Sequence, residues 1–428
     1  MPAAAPLGRS ARWRILTYLS FLMALVAIGA PGGEVIGIPL RFVLKNKLHM
    51  TAPQMAEFRL FAAIPTYLCC VFGFARDIWN PLGRGDRGFM MLFGGLGAAL
   101  YIVFAFLPVS TATIFAATVL LTSAALFVAS AQQGLTATLG QQHEMSGQVS
   151  VVFNVFGALL GMATALLGGA VSDRLEALAP QDAARALFLL GALFMAFVAA
   201  YGAWRPPVVF DNLRSERAAD LHPWRDLKRL AAHWPIYPAM LIWLLWNFAP
   251  GSSTPLQYFL QNDLHAKDAV WGQWNAIFSG AFVPTFLLFG ALCQRFTLGK
   301  LLVWGTVFAI PQMVPLLFIH SATGALVVAV PMGLMGGVAS AAYFDLIIRS
   351  CPRGLQGTTL MLSASLASVI VHFGDVLGTE LYSRYGGFAA CVAAITAVYA
   401  LILPALLLVP RRLLGGMDEG RPTPAPAE

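Results

Sequence analysis

Apolar residues fall along the chain in long blocks separated by short polar stretches. Many blocks come close to the ~20 residues that a helix needs to cross a bilayer. They predict spans near 15–44, 55–75, 88–107, 111–133, 147–171 and 184–203 in the first half. The second half predicts 235–260, 269–293, 301–319, 323–348, 357–382 and 387–409. The fold class is therefore an all-α membrane protein of about twelve helices. The organisation expected is a six-helix bundle over 1–204, a cytoplasmic linker over 205–234, a second bundle over 235–410 and a disordered tail over 411–428.

The two halves are related. Residues 39–49 read PLRFVLKNKLH and residues 255–265 read PLQYFLQNDLH. Pro, Leu, Leu, Asn, Leu and His recur in register, and Phe42 aligns with Tyr258. Each copy follows an Ala-Pro-Gly, at 30–32 and 249–251. Further matched pairs are Gly73 with Gly290, Gly147 with Gly357, and Gly168 with Gly378. Matched features at similar offsets signal an internal duplication. A Pro/Gly-interrupted helix in the same place of each half points to a transporter, because unpaired backbone in a membrane is tolerated where it lines a cavity or is buried in protein.

Composition agrees with the class. The chain is 58% hydrophobic and 11% charged, against about 25% charged in soluble domains. Taking both termini as inside puts about 19 Lys and Arg on the inner side and about 8 outside, as the positive-inside rule requires. The net charge of +7 then reflects topology and no nucleic-acid partner is expected. Lys45 and Lys47, in the first outer loop, run against the rule. The cysteines have neither zinc nor redox spacing. HExxH, Walker and GxSxG motifs are absent, so neither an enzyme nor a cofactor is expected.

Ionisable residues inside spans carry the remaining information, because charge in the hydrocarbon region is costly. Glu34 follows Pro31-Gly32-Gly33 and is the expected main proton carrier; as a structural residue it would pair with Arg59. His372 and Asp375 share one helix face and would form a secondary proton relay or substrate contact. Asp345 with Arg349, and Glu380 with Arg384, read as helix-surface ion pairs. Arg41 would hold an anionic substrate at the cavity mouth. Trp243, Trp246, Asn247, Gln257 and Tyr258 lie on span seven, where aromatics beside amides suit a flat polar ring. Trp271 and Trp274 read as an interfacial belt, and Asn154 and Gln312 as helix–helix contacts or ligands.

Gly73, Asp77, Gly83, Arg84 and Arg87, following span two, resemble the cytoplasmic signature of the major facilitator superfamily. Within it, three stretches resemble the folate–biopterin transporter family: LHMTAPQMAEFRLFAAIPTYLCCVFGFARD, NPLGRGDRGFMMLFGG and CPRGLQGTTLMLSASLAS. The resemblance implies a secondary transporter of a small polar or anionic solute, pterin- or folate-like, coupled to protons and acting as a monomer in a bacterial inner membrane. It also implies that Asp77, Arg84 and Arg87 latch the inner face of the first half to a neighbouring helix. The competing readings are a muropeptide or saccharide permease of the same superfamily, and a membrane assembly or scaffold protein on a transporter fold.

Overall fold

A computed structural model describes residues 8–50, 58, 61–211, 223–252, 254–265, 268–352, 354–385 and 387–415. Ten helical stretches among these residues are long and apolar enough to cross a membrane. Lipid offers backbone groups no partners, so a spanning segment must satisfy its N–H and C=O groups within itself. In the first half, span one is Arg9–Gly29 followed by Glu34–Phe42 and a π-helical turn Val43–Lys47; span two contains Ile64–Tyr67 and Cys69–Ile78. Spans three to six are Asp86–Phe106, Thr111–Gln142, Ser146–Glu176 and Pro180–Ala203.

The second half repeats the plan. Span seven is Ile236–Asn247, then Thr254–Tyr258 and a π-helical turn Phe259–Asp263. Span eight is Asp268–Leu292, and span nine is Leu298–Ala309 continued by a 3-10 turn Val314–Phe318. Ala322–Ser350 and Gln356–Arg384 are spans ten and eleven, and Gly387–Ala400 with Ile402–Leu406 is span twelve. The start of span one, linker residues 205–211 and 223–234, and the turn Arg411–Leu414 lie on one face, called here the terminal face.

The duplicated stretch has the same backbone twice. In both copies an α-helix widens into a π-helical turn over equivalent residues. Leu48 N–H donates to Val43 O at 3.1 Å, and Leu264 N–H to Phe259 O at 3.1 Å. His49 and His265 then both adopt φ 51°, the left-handed conformation that reverses the chain after a helix and is uncommon for a side-chain-bearing residue. The breaks also match. Gly168 of span five carries no side chain where one would collide with Glu34 O, at the break of span one. Gly378 of span eleven does the same at span seven, where a Cβ would lie 2.9 Å from Pro250 C. Small residues let helices approach closely in membranes.

Several boundaries differ from the sequence reading. Span four runs on to Gln142 rather than stopping near 133. Its polar continuation is satisfied internally: Thr136 Oγ1 donates to Gln132 O at 2.7 Å and Thr138 Oγ1 to Gly134 O at 2.8 Å. The tail begins with a helical turn, Arg411–Leu414, packed against Gly299, where disorder was expected. The linker contains helices Pro207–Phe210 and Pro223–Ala232. Lys47, on the side of the membrane where bases are scarce, donates to Leu178 O at 2.9 Å.

Candidate functional site

The halves are joined at the terminal face by a buried charge cluster. Arg76 and Asp77 end span two and Asp86 begins span three; all three are buried. The Arg76 guanidinium binds Asp86 through two N–H groups, at 2.6 and 2.7 Å, and Asp77 through a third at 2.6 Å. Asp77 then reaches the other half. Its carboxylate accepts from Gly357 N–H at 3.2 Å, Thr358 N–H at 2.6 Å and Thr358 Oγ1 at 2.7 Å. The two backbone N–H groups are orphan donors of the first turn of span eleven, where the helix dipole places about +0.5 charge. One guanidinium and two carboxylates sum to −1, and the helix terminus offsets part of it. Charges buried this way require pairing on every side.

Three glycines make room for the cluster. A Cβ at Gly134 of span four would fall 2.6 Å from Arg76 Nε, one at Gly357 2.8 Å from Arg76 Cδ, and one at Gly73 2.8 Å from Met361 Cβ. Further bonds join the halves nearby. Gln141 Nε2 donates to Ile348 O at 2.7 Å and Cys351 O at 2.9 Å. Ser150 Oγ donates to Ala341 O at 2.7 Å, and Ser365 Oγ to Tyr67 O. The Phe153 and Phe344 rings stack at 4.5 Å. Tyr67 lies ten residues from Asp77, so the seal extends about 15 Å from the terminal face at 1.5 Å per residue. The repeat-related contact of spans five and eight pairs Gly290 with Val151, but Gln294 stands at the position equivalent to Asp77 and is exposed. Only one of the two contacts carries a carboxylate there.

Arg84 and Arg87 contact groups within the first half. Arg84 is exposed, with Nη1 3.4 Å from Met91 Sδ. Arg87 donates to Gly202 O at 3.0 Å and Ala203 O at 2.6 Å, at the carboxyl end of span six, with its guanidinium over the Phe210 ring. Arg76 and Asp86 were not singled out from sequence. The available signal was an Asp in the first turn of span three, nine residues beyond Asp77.

Glu34 is half-exposed and bonds Arg41 Nη2 at 2.9 Å; it is not in a dry cavity in this conformation, and Arg59 lies outside the described residues. Asp375 caps the resumed helix of span seven, accepting from Thr254 N–H at 2.8 Å and Thr254 Oγ1 at 2.6 Å. His372 is turned to its own helix, with Nδ1 2.7 Å from Ser368 O, and meets Tyr67 edge-on across the halves. His372 and Asp375 thus share a face while each has a different partner.

On span seven the polar groups are partly committed to packing. Trp243 Nε1 donates to Ser363 O at 3.2 Å and Asn247 Nδ2 to Trp243 O at 2.8 Å. Trp246 stacks on Tyr399 at 4.9 Å and against Tyr343. Tyr258 is exposed and Gln257 half-exposed. Three sequence expectations are corrected. Asp345 is fully buried, with Oδ1 2.9 Å from Arg349 Nε and Oδ2 without a hydrogen bond among the described residues; it is not a surface ion pair, because span ten is enclosed at this level. Trp274 is buried and stacked on Phe278 at 4.8 Å rather than interfacial; the Trp271 side chain lies outside the described residues. Asn154 bonds Ser150 O on its own helix and makes no contact with another helix through that bond, whereas Gln312 bonds Met332 O and joins spans nine and ten as expected of a helix–helix contact. Glu380 and Arg384 do form an exposed pair at 2.9 Å.

Among solved structures, the fold is similar to a bacterial homologue of the iron transporter ferroportin in an outward-facing state (TM-score 0.65, 16% identity, 92% of this chain and 98% of that one). It is also similar to the E. coli fucose:proton symporter (TM-score 0.68, 13% identity, 94% and 100%). In sequence the chain is 21% identical over 435 residues to the folate-biopterin transporter of Synechocystis sp., covering 97% of this chain and 84% of that protein. The model of the Major Facilitator Superfamily matches residues 85–379, a stretch that runs from Asp86 of the charge cluster through the span seven break to the Gly378 contact. The match covers more than half of the sequence and reaches into both repeated halves, and the chain belongs to the Major Facilitator Superfamily, as a transporter and not an enzyme.

Proposed function

We propose that this transporter is a proton-coupled symporter for a small polar or anionic organic solute of the pterin or folate kind. The solute class follows the resemblance to the folate-biopterin transporter. The two units are 1–204 and 235–410, joined by the 205–234 linker and rocking about one another by alternating access. The protein works as a monomer in a bacterial inner membrane, with the terminal face cytoplasmic. The observation that carries the reading is the Asp77 contact with the first turn of span eleven. It exists only while the halves are closed at the terminal face, so breaking and remaking it distinguishes two states of the molecule. The state seen is then outward-facing.

Glu34 is the main proton carrier in this reading, and His372 with Asp375 a secondary site. Reconstitution into proteoliposomes tests it. A pH gradient should drive accumulation of folate or biopterin in the wild type. Glu34→Gln should lose gradient-driven accumulation and keep exchange of solute across the membrane; Asp375→Asn should reduce uptake less. Wild-type accumulation by Glu34→Gln would rule the residue out as carrier, and uptake indifferent to the gradient in the wild type would remove proton coupling altogether.

A further inference from the structure

We infer that the Glu34–Arg41 ion pair holds the place of a substrate carboxylate: an anionic substrate displaces Glu34 from Arg41, and the displaced Glu34 takes a proton from water. The inference rests on the pterin and folate reading above and gives it a charge-reading site.

Glu34 and Arg41 are seven residues apart, two turns along one face of Glu34–Phe42. Val35, Ile36, Pro39 and Leu40 bury the opposite face, while the carboxylate and guanidinium are 44% and 45% exposed. Charge is costly against hydrocarbon, so an open ion pair beside a span break belongs where water reaches it. The break itself has room, since a Cβ at Gly32 would meet nothing within 4 Å. Two of the five N–H groups of Arg41 are engaged among the described residues, by Gly37 O at 3.1 Å and Glu34 Oε2 at 2.9 Å. A guanidinium binds a carboxylate best through two parallel N–H groups, which the single bond to Glu34 does not use. A substrate carboxylate with freedom to align is therefore the better partner.

The charge balance closes. Before binding, the site holds Arg41 cationic and Glu34 anionic; afterwards Arg41 is cationic, the substrate carboxylate anionic and Glu34 neutral. The carboxylate that pairs with Arg41 enters with one proton, so a monoanion is carried with no net charge and a dianion such as folate with a net charge of −1. Among the described side chains, the charged groups on elements packed against Glu34–Phe42 leave this exchange to the pair. Lys47 is held by Leu178 O and Asp182 pairs with Arg185 at 3.8 Å. Arg174 is exposed six residues beyond the Gly168 contact with Glu34, at the level of Arg41, and adds positive charge there; Arg12 and Arg14 lie at the terminal end of span one. The second repeat places neutral Gln257 and Tyr258 at the positions equivalent to Arg41 and Phe42. The duplicated stretch thus offers a cation from one half and an amide with a phenol from the other, which suits a molecule with an anionic tail and a flat hydrogen-bonding head.

The test uses the full-length protein in proteoliposomes with two probes: folate, which carries carboxylates, and biopterin, which carries none. Arg41→Gln should lower folate uptake roughly tenfold more than biopterin uptake, as loss of one half-exposed charge contact of about 1.4 kcal/mol predicts. Folate binding to the wild type should weaken by up to about tenfold per pH unit once Glu34 must take up the proton, and in Glu34→Gln this dependence should flatten. Gln257→Ala should reduce both probes alike. An equal loss of both probes in Arg41→Gln, or a pH dependence that survives in Glu34→Gln, overturns the exchange while leaving the substrate reading in place. A wild type that takes up neither probe sinks the substrate reading, and the exchange with it.

Discussion

Asp77→Asn isolates the latch. Asp77 accepts three hydrogen bonds from Gly357 and Thr358 across the halves and one from Arg76. An asparagine keeps the shape but turns one oxygen into a donor. Whichever way the amide faces, it points N–H groups at donors, either those of Thr358 or those of Arg76 and Gly357. A hydrogen bond to a charged group contributes about 1.5–3 kcal/mol, and a charge at a helix N-terminus about 0.3–2 kcal/mol. The remaining oxygen recovers part of this, so a net loss of about 3 kcal/mol is expected in the latched state alone. That is about a 150-fold shift in the equilibrium between states. Spin labels on Leu166→Cys and Val376→Cys, in a background with the native cysteines replaced, report the separation of the halves away from the terminal face. Both positions are exposed, on spans five and eleven. Asp77→Asn should convert a population dominated by the long distance into one dominated by the short distance, abolish transport and spare solute binding. A distance distribution and transport rate equal to wild type would show that the latch contributes less than about 1 kcal/mol and would refute the reasoning.

Other expectations follow from the same geometry. Gly134→Ala should push against the Arg76 guanidinium and destabilise the protein by about 1–3 kcal/mol, read as a lower melting temperature in detergent, whereas Gly161→Ala, with nothing within 4 Å of a Cβ, should leave it unchanged. Gly378→Ala and Gly168→Ala should each impair folding yield, because the intruding methyl meets backbone of the span seven or span one break rather than a movable side chain. His143 and His233 lie outside the spans and are held below the ordinary value of 6.5. Burial is the first cause for each, followed by Arg12 for His143 and Arg412 for His233. A histidine kept neutral on folding binds fewer protons than the unfolded chain, so its stability contribution is present above 6.5 and lost as pH falls through the window below it. Thermal stability should therefore drop in mildly acidic buffer, and His143→Gln with His233→Gln should flatten that drop; an unchanged slope in the double variant would count against it.

The sequence by itself determined the class, the number of crossings and the duplication. Long apolar blocks admit only helices in lipid, and PLRFVLKNKLH and PLQYFLQNDLH announced a shared backbone down to the paired histidines at φ 51°. It also marked Asp77, because a loop signature is local. What the tertiary structure decided is who meets whom. The partners of Asp77 lie 280 and 281 residues away, and no local pattern reveals that an acid caps a helix so distant in sequence. Arg76 looked like one more basic residue at a span end; only the convergence of spans two, three, four and eleven buries it between two carboxylates. Asp345 and Arg349 have the spacing of a surface pair, yet span ten is enclosed, so the spacing fixed the contact and the packing fixed its burial. Glu34 found Arg41 on its own helix, a pairing that i,i+7 spacing allows but cannot choose over Arg59 of the next span. Periodicity and backbone chemistry act over a few residues and are written in the chain; burial and partnership depend on which faces of distant helices meet, and the fold alone sets that.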